Sequence, residues 1–512
     1  MRLPKPWRRL THPRKIKPPS LGKGWGWGPA MFEKSVHAQA NPHAKVRLLI
    51  LREDALGDMI LALPVIQALY EKLNHPEITV LASNYSGNGD LIAHLPYIHE
   101  VMLSPNMRSF RDVLAFAKIL RAKGFTHSLH LSTRAGTAWA CFFGIPNNIG
   151  DMAILGLLPV FFRLGRFCPP HDMMVHQVQR NFGLLRPFGL SASDAIEKKL
   201  SVQPHPDDTA PVREALLARG FDFQRQTVCV HLGAAGGNKP VLPAKYAAYV
   251  MALHRESPDI QILITGASDE EKSFRDQFLD GIDRPVIDMV GATRLREVLT
   301  LLTYAHVFVG IDTGPAHMAA ALGVPQLLLS TSKRVLPFKW GPWRNRHVVV
   351  RANSRCGITC HARACPEWTC VEDLPIAEMV TQTLILLNGG GFSTFEDQQQ
   401  HWFRVAMPLL IVVDARTRER GHLLCQTWRS WGLTVHVAEV DDPMLYRNCV
   451  AWDIRIIQNV SARRRFRLFV MAQMLNRELS HPPLLCHGDP GLSTVADLLD
   501  HYRERFSKRG GL

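Results

Sequence analysis

From residue 46 onward the chain alternates short apolar runs with stretches of helical period. Val46–Leu51 is an apolar run, and a helical pattern follows from Asp58 to Lys72. Ile78–Ala82 and Ser128–Leu131 read as further strands, with a helix over Phe110–Lys123 between them. Buried strands separated by helices predict a parallel sheet covered on both faces. The alternation pauses over 201–226, which opens with Gln203-Pro204-His205-Pro206 and holds one short helix, Pro211–Arg219. It then restarts. Val228–Leu232, Ile260–Thr265, Val307–Ile311 and Gln326–Ser330 are strand-like, and Lys245–His254, Leu295–Tyr304 and Pro315–Leu322 are helical. A helix over Ile376–Leu387 and the break Gly389-Gly390-Gly391 close this unit. A third stretch reads as a strand Leu409–Val413, a helix Gly421–Trp431 and a strand Thr434–Val437.

The expected organisation is therefore a tail over 1–45, a Rossmann-like domain over 46–200, a linker over 201–226, a second Rossmann-like domain over 227–388, and a small α/β extension over 400–512 whose role the sequence does not reveal. Two doubly wound units facing each other leave a cleft, and such sheets bind nucleotides outside the carboxyl ends of their strands.

Charge changes the picture at one end only. The chain has 512 residues and a formal net charge of +15. Residues 1–45 hold ten Lys or Arg against the single acid Glu33, so most of the excess belongs to this Pro- and Gly-rich segment. It lacks apolar periodicity but carries Trp7, Trp25 and Trp27. A solvated disordered leader is the plain reading. Peripheral contact with an anionic membrane surface is the other, since basic groups and Trp both favour that interface. Nothing downstream supports nucleic-acid binding. No run reaches the roughly 18 apolar residues of a spanning helix; the nearest, Met152–Phe162, is interrupted by Pro159. Ten cysteines and no export signal predict a cytoplasmic protein.

Four clusters carry candidate chemistry. Leu56-Gly57-Asp58 joins the first strand to the first helix. A carboxylate there can take a proton from an attacking hydroxyl, or merely cap the helix. Gly233-Ala234-Ala235-Gly236-Gly237-Asn238-Lys239 follows the strand ending at Leu232. Its small residues admit an anion to backbone N–H groups and Lys239 can neutralise it. Asn238 and Pro240 rule out a Walker A loop. In Asp312-Thr313-Gly314-Pro315-Ala316-His317 a strand runs directly into a helix start, a seat suited to a pyrophosphate, with His317 in the first turn. Cys356, Cys360, Cys365 and Cys370 crowd one segment without a CxxC pair, so zinc and plain structural thiols both remain open.

The order and spacing of these motifs resemble glycosyltransferase family 9, the ADP-heptose:lipopolysaccharide heptosyltransferases. The resemblance rests on Leu56-Gly57-Asp58-Met59-Ile60-Leu61-Ala62-Leu63-Pro64, on Lys239-Pro240-Val241-Leu242-Pro243, and most of all on Asp312-Thr313-Gly314-Pro315-Ala316-His317-Met318-Ala319-Ala320-Ala321-Leu322-Gly323-Val324-Pro325. It covers roughly 46–388. It implies a GT-B fold, with the acceptor in the N-terminal domain and the nucleotide sugar in the C-terminal one. It also implies an inverting transfer with no catalytic metal and no cofactor. By resemblance, Asp58 is the base, Lys239 meets the donor phosphates, Thr313, Gly314 and His317 cradle the pyrophosphate with Gly233 nearby, and Asp312 lies near the donor sugar. The expected donor is ADP-heptose and the expected acceptor a lipid-linked glycan at the inner face of the inner membrane. The chain departs from the family at Glu53 and Asp54, at Asn148-Ile149-Gly150 in place of Arg-Ile-Gly, and in its tail and C-terminal extension. A non-catalytic glycosyltransferase-like scaffold in envelope polysaccharide assembly, and a GT-B transferase using another nucleotide sugar, fit the same motifs.

Overall fold

The computed structural model describes residues 46–84, 87–132, 134–150, 176–234, 239–332, 337–352 and 368–406, and beyond them the segments 409–413, 418–430, 435–439, 456–458 and 484–486. The tail, Met152–Phe162, the loop 235–238, Cys356, Cys360 and Cys365 lie outside the described residues.

The N-terminal sheet contains β1 (Arg47–Arg52), β2 (Glu77–Ala82), β3 (Glu100–Leu103), β4 (His127–His130) and β5 (Asn147–Gly150), in the order β3-β2-β1-β4-β5. Every neighbour pair is parallel; Leu49 faces Thr79 on one side and Ser128 on the other. The second sheet contains β6 (Thr227–His231), β7 (Gln261–Thr265), β8 (Ile287–Asp288), β9 (Val307–Ile311), β10 (Gln326–Ser330) and β11 (His347–Arg351), in the order β11-β10-β9-β6-β7-β8, again parallel. In each sheet the first strand of the unit lies beside the fourth. The chain winds outward from that pair in both directions, which makes a switch point between β1 and β4 and another between β6 and β9. The fold is GT-B.

Central strands read as unbroken apolar runs because helices cover both faces. β9 is buried along its whole length, and β1 from Leu48 to Arg52. One core cluster joins Leu48 and Met59 of the first domain to Ala316, Met318 and Trp343 of the second. A separate layer, Leu49, Leu51, Val113, Phe116, Leu120, Ala140 and Cys141, packs the helices Phe110–Ala122 and Ala135–Gly144 on one face of the first sheet. The former starts at a capping box between Ser109 and Asp112.

One expected element divides. The helical pattern from Asp58 to Lys72 is two helices, Leu56–Ile60 and Leu63–Lys72. Pro64 cannot continue a helix through its own position, but it suits the first turn of a new one, where it sits. The 201–226 segment is itself packed: Val212, Leu216 and Phe221 are core residues, and Asp208 takes a two-pronged ion pair from Arg296, both contacts 2.7 Å. At the C-terminal side, helix Phe395–Ala406 lies along β11, with Trp402 fully buried. Leu409–Val413 and Val435–Glu439 pair in parallel around helix Arg418–Ser430, a βαβ unit. Among the described residues no helix is long and apolar enough to cross a membrane.

Candidate active site

β1 delivers Arg52, Glu53 and Asp54 to the carboxyl end of the first sheet, and the turn to helix Leu56–Ile60 delivers Asp58. Ala55, not Asp58, is the N-cap; Asp58 is the third helical residue. Its carboxylate turns to the buried guanidinium of Arg52, Nη2 to Oδ1 2.5 Å, while Arg52 Nε donates to the Asp58 carbonyl at 2.9 Å. The other end of Arg52 donates to Leu131 O at 2.5 Å, across the β1–β4 switch point. Asp58 is thus a positioned carboxylate rather than a cap. Asp54 stands 3.3 Å from the same guanidinium and is the more exposed of the two, 41% against 18%. Burial pushes Asp54 up to about 6; Arg52 opposes this, and the nearby charges of Asp58 and Glu53 add to it.

Glu53 is buried behind them. It accepts hydrogen bonds from the Ser104 and Thr137 hydroxyls, the latter at 2.7 Å, and its backbone N–H donates to Ser132 Oγ. Burial raises its pKa, and the two hydroxyls pull the other way.

Beside Asp58 opens a cavity of about 170 Å³, lined by Arg52, Asp54, Asp58, Ser132, Arg180 and Asn181 from the first domain and by Lys339 and Trp340 from the second. Lys339 lies over the Trp340 ring at 5.0 Å, and its pKa is lowered by burial and by Arg180. Arg52, Arg180, Lys339 and Trp340 were not singled out as site residues from the sequence. Two of them carried a signal: Arg52 ends the strand leading into the motif, and Trp340 opens the family-like Trp340-Gly341-Pro342.

The second sheet supplies the opposite wall. Helix Gly314–Ala321 begins directly after β9, with Thr313 at the N-cap and Pro315 in the first turn. The Thr313 hydroxyl donates back to Ile311 O at 3.2 Å instead of capping the first-turn amides. His317, buried, meets Asp312 with Nε2 to Oδ1 at 3.0 Å, and its Nδ1 finds no hydrogen-bond partner among the described residues.

The two helix starts touch. A Cβ on Gly57 would lie 2.5 Å from His317 Cδ2, and a Cβ on Gly314 would lie 2.4 Å from Leu56 Cδ2. Each glycine makes room for a side chain of the opposite domain, so Leu56-Gly57-Asp58 and Asp312-Thr313-Gly314-x-x-His317 form one seam.

Gly233 and Lys239 both lie on the connection between β6 and helix Pro243–Glu256 of the second sheet. Lys239 is buried, with Nζ 4.8 Å over the Trp368 ring and its carbonyl accepting from Thr331 Oγ1. Gly233 backs onto the Glu271 carboxylate, where any side chain would collide. Glu271 is pinned by the backbone N–H groups of Ala267 and Ser268, and His231 lies 3.8 Å from it. Burial and hydrogen bonding hold His231 and Glu271 below their ordinary pKa values respectively.

The family model described as Glycosyltransferase family 9 (heptosyltransferase) matches residues 113–368, half of the chain, including the whole second sheet and strands β4 and β5 of the first. This chain belongs to glycosyltransferase family 9. Lipopolysaccharide heptosyltransferase 3 of Escherichia coli K12 is 24% identical over 302 residues, which cover 56% of this chain and 82% of that protein. A putative glycosyltransferase of Haemophilus influenzae is 21% identical over 309 residues, covering 58% and 86%. Among solved structures, a family 9 glycosyl transferase from Veillonella parvula superposes with a TM-score of 0.56 at 15% identity, over 67% of this chain and 98% of its own. The ADP-heptose lipopolysaccharide heptosyltransferase II of E. coli does so with a TM-score of 0.54 at 17% identity, over 67% and 99%. These superpositions establish the shared fold. As a family 9 member the protein is a heptosyltransferase-like glycosyltransferase, a transferase by class.

Proposed function

We propose that this family 9 transferase moves heptose from ADP-heptose onto a lipid-linked glycan of lipopolysaccharide type, with inversion and without a catalytic metal. The observation that carries the reading is the seam. Asp58, with a cavity beside it, directly follows Gly57, which packs against His317 of the Asp312–His317 pair, and Gly314 at the facing helix start packs against Leu56. In this mechanism an acceptor hydroxyl enters the cavity and gives its proton to Asp58. Its oxygen attacks the anomeric carbon as the bond from that carbon to the diphosphate oxygen breaks, and ADP leaves with the electron pair. Charge developing on the diphosphate is met by Lys239 and by the first-turn amides after Thr313. His317, held by Asp312, has Nδ1 for a donor hydroxyl or phosphate. Attack from the Asp58 side with departure toward the second domain gives inversion.

The test is nucleotide release from a panel of nucleotide sugars, with and without lipid-linked acceptor, followed by assignment of the product's anomeric configuration. ADP-heptose should be preferred, release should rise with acceptor, and EDTA should leave it unchanged. A different preferred donor would change the sugar assignment. No release from any donor with acceptor present would favour the scaffold reading. Loss with EDTA that Mg²⁺ or Mn²⁺ restores would overturn the metal-free mechanism.

A further inference from the structure

We propose that the outer face of two helices, Phe110–Ala122 and Ala135–Gly144, is the seat by which this protein rests on an anionic lipid bilayer. The proposal rests on the lipid-linked acceptor reading and gives it a place on the molecule. Both helices cover the same face of the first sheet through Val113, Phe116, Leu120, Ala140 and Cys141. What they turn outward is unusual for a solvated surface.

Seven large hydrophobic side chains are strongly exposed among the described residues, and four of them, Leu103, Phe110, Leu114 and Ile119, fall within seventeen positions at this edge. Phe110 is 60% exposed and Leu114 40%. On the helix, Phe110, Leu114, Lys118 and Arg121 follow one another at spacings of four, four and three, a single stripe. That stripe runs beside the second helix: Phe110 meets Phe143 with ring centroids 5.9 Å apart, and Arg121 donates to Phe143 O at 2.6 Å. Phe143 in turn stacks on Trp139 at 5.8 Å and meets Phe142 at 5.3 Å. Phe110 and Leu114 thus stand exposed beside a half-buried aromatic cluster, Trp139, Phe142 and Phe143, of which Trp139 and Phe143 pack against the core.

Charge decides what covers such a patch. Residues 104–144 contain Arg108, Arg111, Lys118, Arg121, Lys123 and Arg134 against one acid, Asp112. Asp112 is spent on the helix cap, and Lys123 pairs with Glu100 outside the stretch. Arg111 and Lys118 are exposed and have no carboxylate partner among the described residues. A hydrophobic protein partner would not explain the exposed, unpaired Arg111 and Lys118 on the same face, and a nucleic acid would not explain Phe110 and Leu114. An anionic bilayer satisfies both: Phe110 and Leu114 enter the interfacial layer while Arg111 and Lys118 meet the headgroups.

The patch is also wired to the reaction site. Helix Phe110–Ala122 starts at the carboxyl end of the sheet, the end that carries Asp58. Glu53 joins the two, because Ser104 before that helix and Thr137 within the other both donate to its carboxylate, one residue from Asp54. A lipid-borne acceptor would then be presented at the edge of the domain that holds the cavity.

The test is co-sedimentation of the full-length chain with phosphatidylglycerol/phosphatidylethanolamine vesicles and with phosphatidylcholine vesicles. It compares the wild type, Phe110→Glu/Leu114→Glu and Arg111→Glu/Lys118→Glu. All four positions are solvent-facing, so folding should survive, and ADP release from ADP-heptose with detergent-dispersed lipid-linked acceptor, without vesicles, is measured in parallel. The wild type should prefer the anionic vesicles, and each double variant should bind them at least about tenfold more weakly. Sedimentation of both variants equal to the wild type would overturn the proposal, as would a wild type that ignores anionic vesicles. So would a change from dimer to monomer in the variants with vesicle binding unchanged, which would make the patch a contact between two copies. Failure of the donor reading appears separately, as absence of ADP release in all three proteins whatever their partition.

Discussion

Arg52 holds Asp58 at 2.5 Å and reaches Asp54 at 3.3 Å, so one guanidinium organises both candidate bases. Removing the proposed base should cost on the order of 10² to 10⁴ in rate. Asp58→Asn is therefore expected to bind ADP-heptose normally in calorimetry while losing transfer to that extent; the amide keeps the shape but takes no proton. Asp54 offers a sharp control, because burial raises it to about 6. If Asp54→Asn instead produced the loss while Asp58→Asn turned over normally, the base would be Asp54, and the wild-type rate would rise with pH through about 6. That a carboxylate stands at the turn from β1 into the first helix was legible in Leu56-Gly57-Asp58. The Arg52 contact that separates a positioned carboxylate from a helix cap was not, since it depends on a strand end and a first turn folding back on each other. The same limit hid Lys339, which enters the cavity from more than 250 residues away in the chain.

At the scale of elements, strands were the most legible feature. Val307–Ile311 and Gln326–Ser330 fall where the apolar runs place them, because a strand buried on both faces has no room for a polar interruption. Glu100–Leu103 and Asn147–Gly150, edge strands of four residues with polar members, left no such run. The seam between helices Leu56–Ile60 and Gly314–Ala321 was invisible for another reason. Glycine in a sequence shows permissiveness but not which neighbour exploits it. That neighbour is now testable. Gly314→Ala gains up to about 1 kcal/mol of helix propensity. It also forces a methyl to within 2.4 Å of Leu56 Cδ2. Overpacking of this kind costs typically about 1–3 kcal/mol, so net destabilisation is expected. Leu56→Ala in the same chain should recover most of it, and a double-mutant cycle in urea reads the coupling. Additive effects would mean that the two helix starts do not press on each other. Gly57→Ala, aimed at His317 Cδ2, should weaken donor binding more than it weakens the fold.

At the scale of the whole molecule, three histidines are buried in neutral form, and two of them, His176 and His347, join parts of the chain. Burial holds His130 and His347 down to about 4 and His176 to about 3. His176 donates from Nε2 to Gly341 O across the domains, and its Nδ1 accepts from Val178 N–H. His347 donates from Nδ1 to Asn345 O, and its Nε2 accepts the indole N–H of Trp402 at 2.7 Å, which ties helix Phe395–Ala406 to β11. An unfolded histidine takes a proton near 6.5. Below that pH the unfolded chain binds protons that the fold refuses, so stability is full above about 6.5 and falls as pH drops toward 4. Asp54 acts in the opposite sense: raised to about 6, it is protonated in the fold first and adds stability as pH falls from there toward its unfolded value. Asp54, 41% exposed and screened by solvent, acts alone against three fully buried histidines, so the loss prevails. The net loss is several kcal/mol, a large part of the roughly 5–15 kcal/mol that stabilises a typical protein. Urea midpoints should therefore fall steadily between about pH 6.5 and 4. Trp402→Phe identifies the His347 share. It removes the indole donor, which should cost about 1 kcal/mol at neutral pH. It also removes the N–H that a protonated Nε2 would confront, so the acid limb should become shallower. If the variant instead lost stability with acid as steeply as the wild type, His347 would not be a group whose protonation loosens this junction.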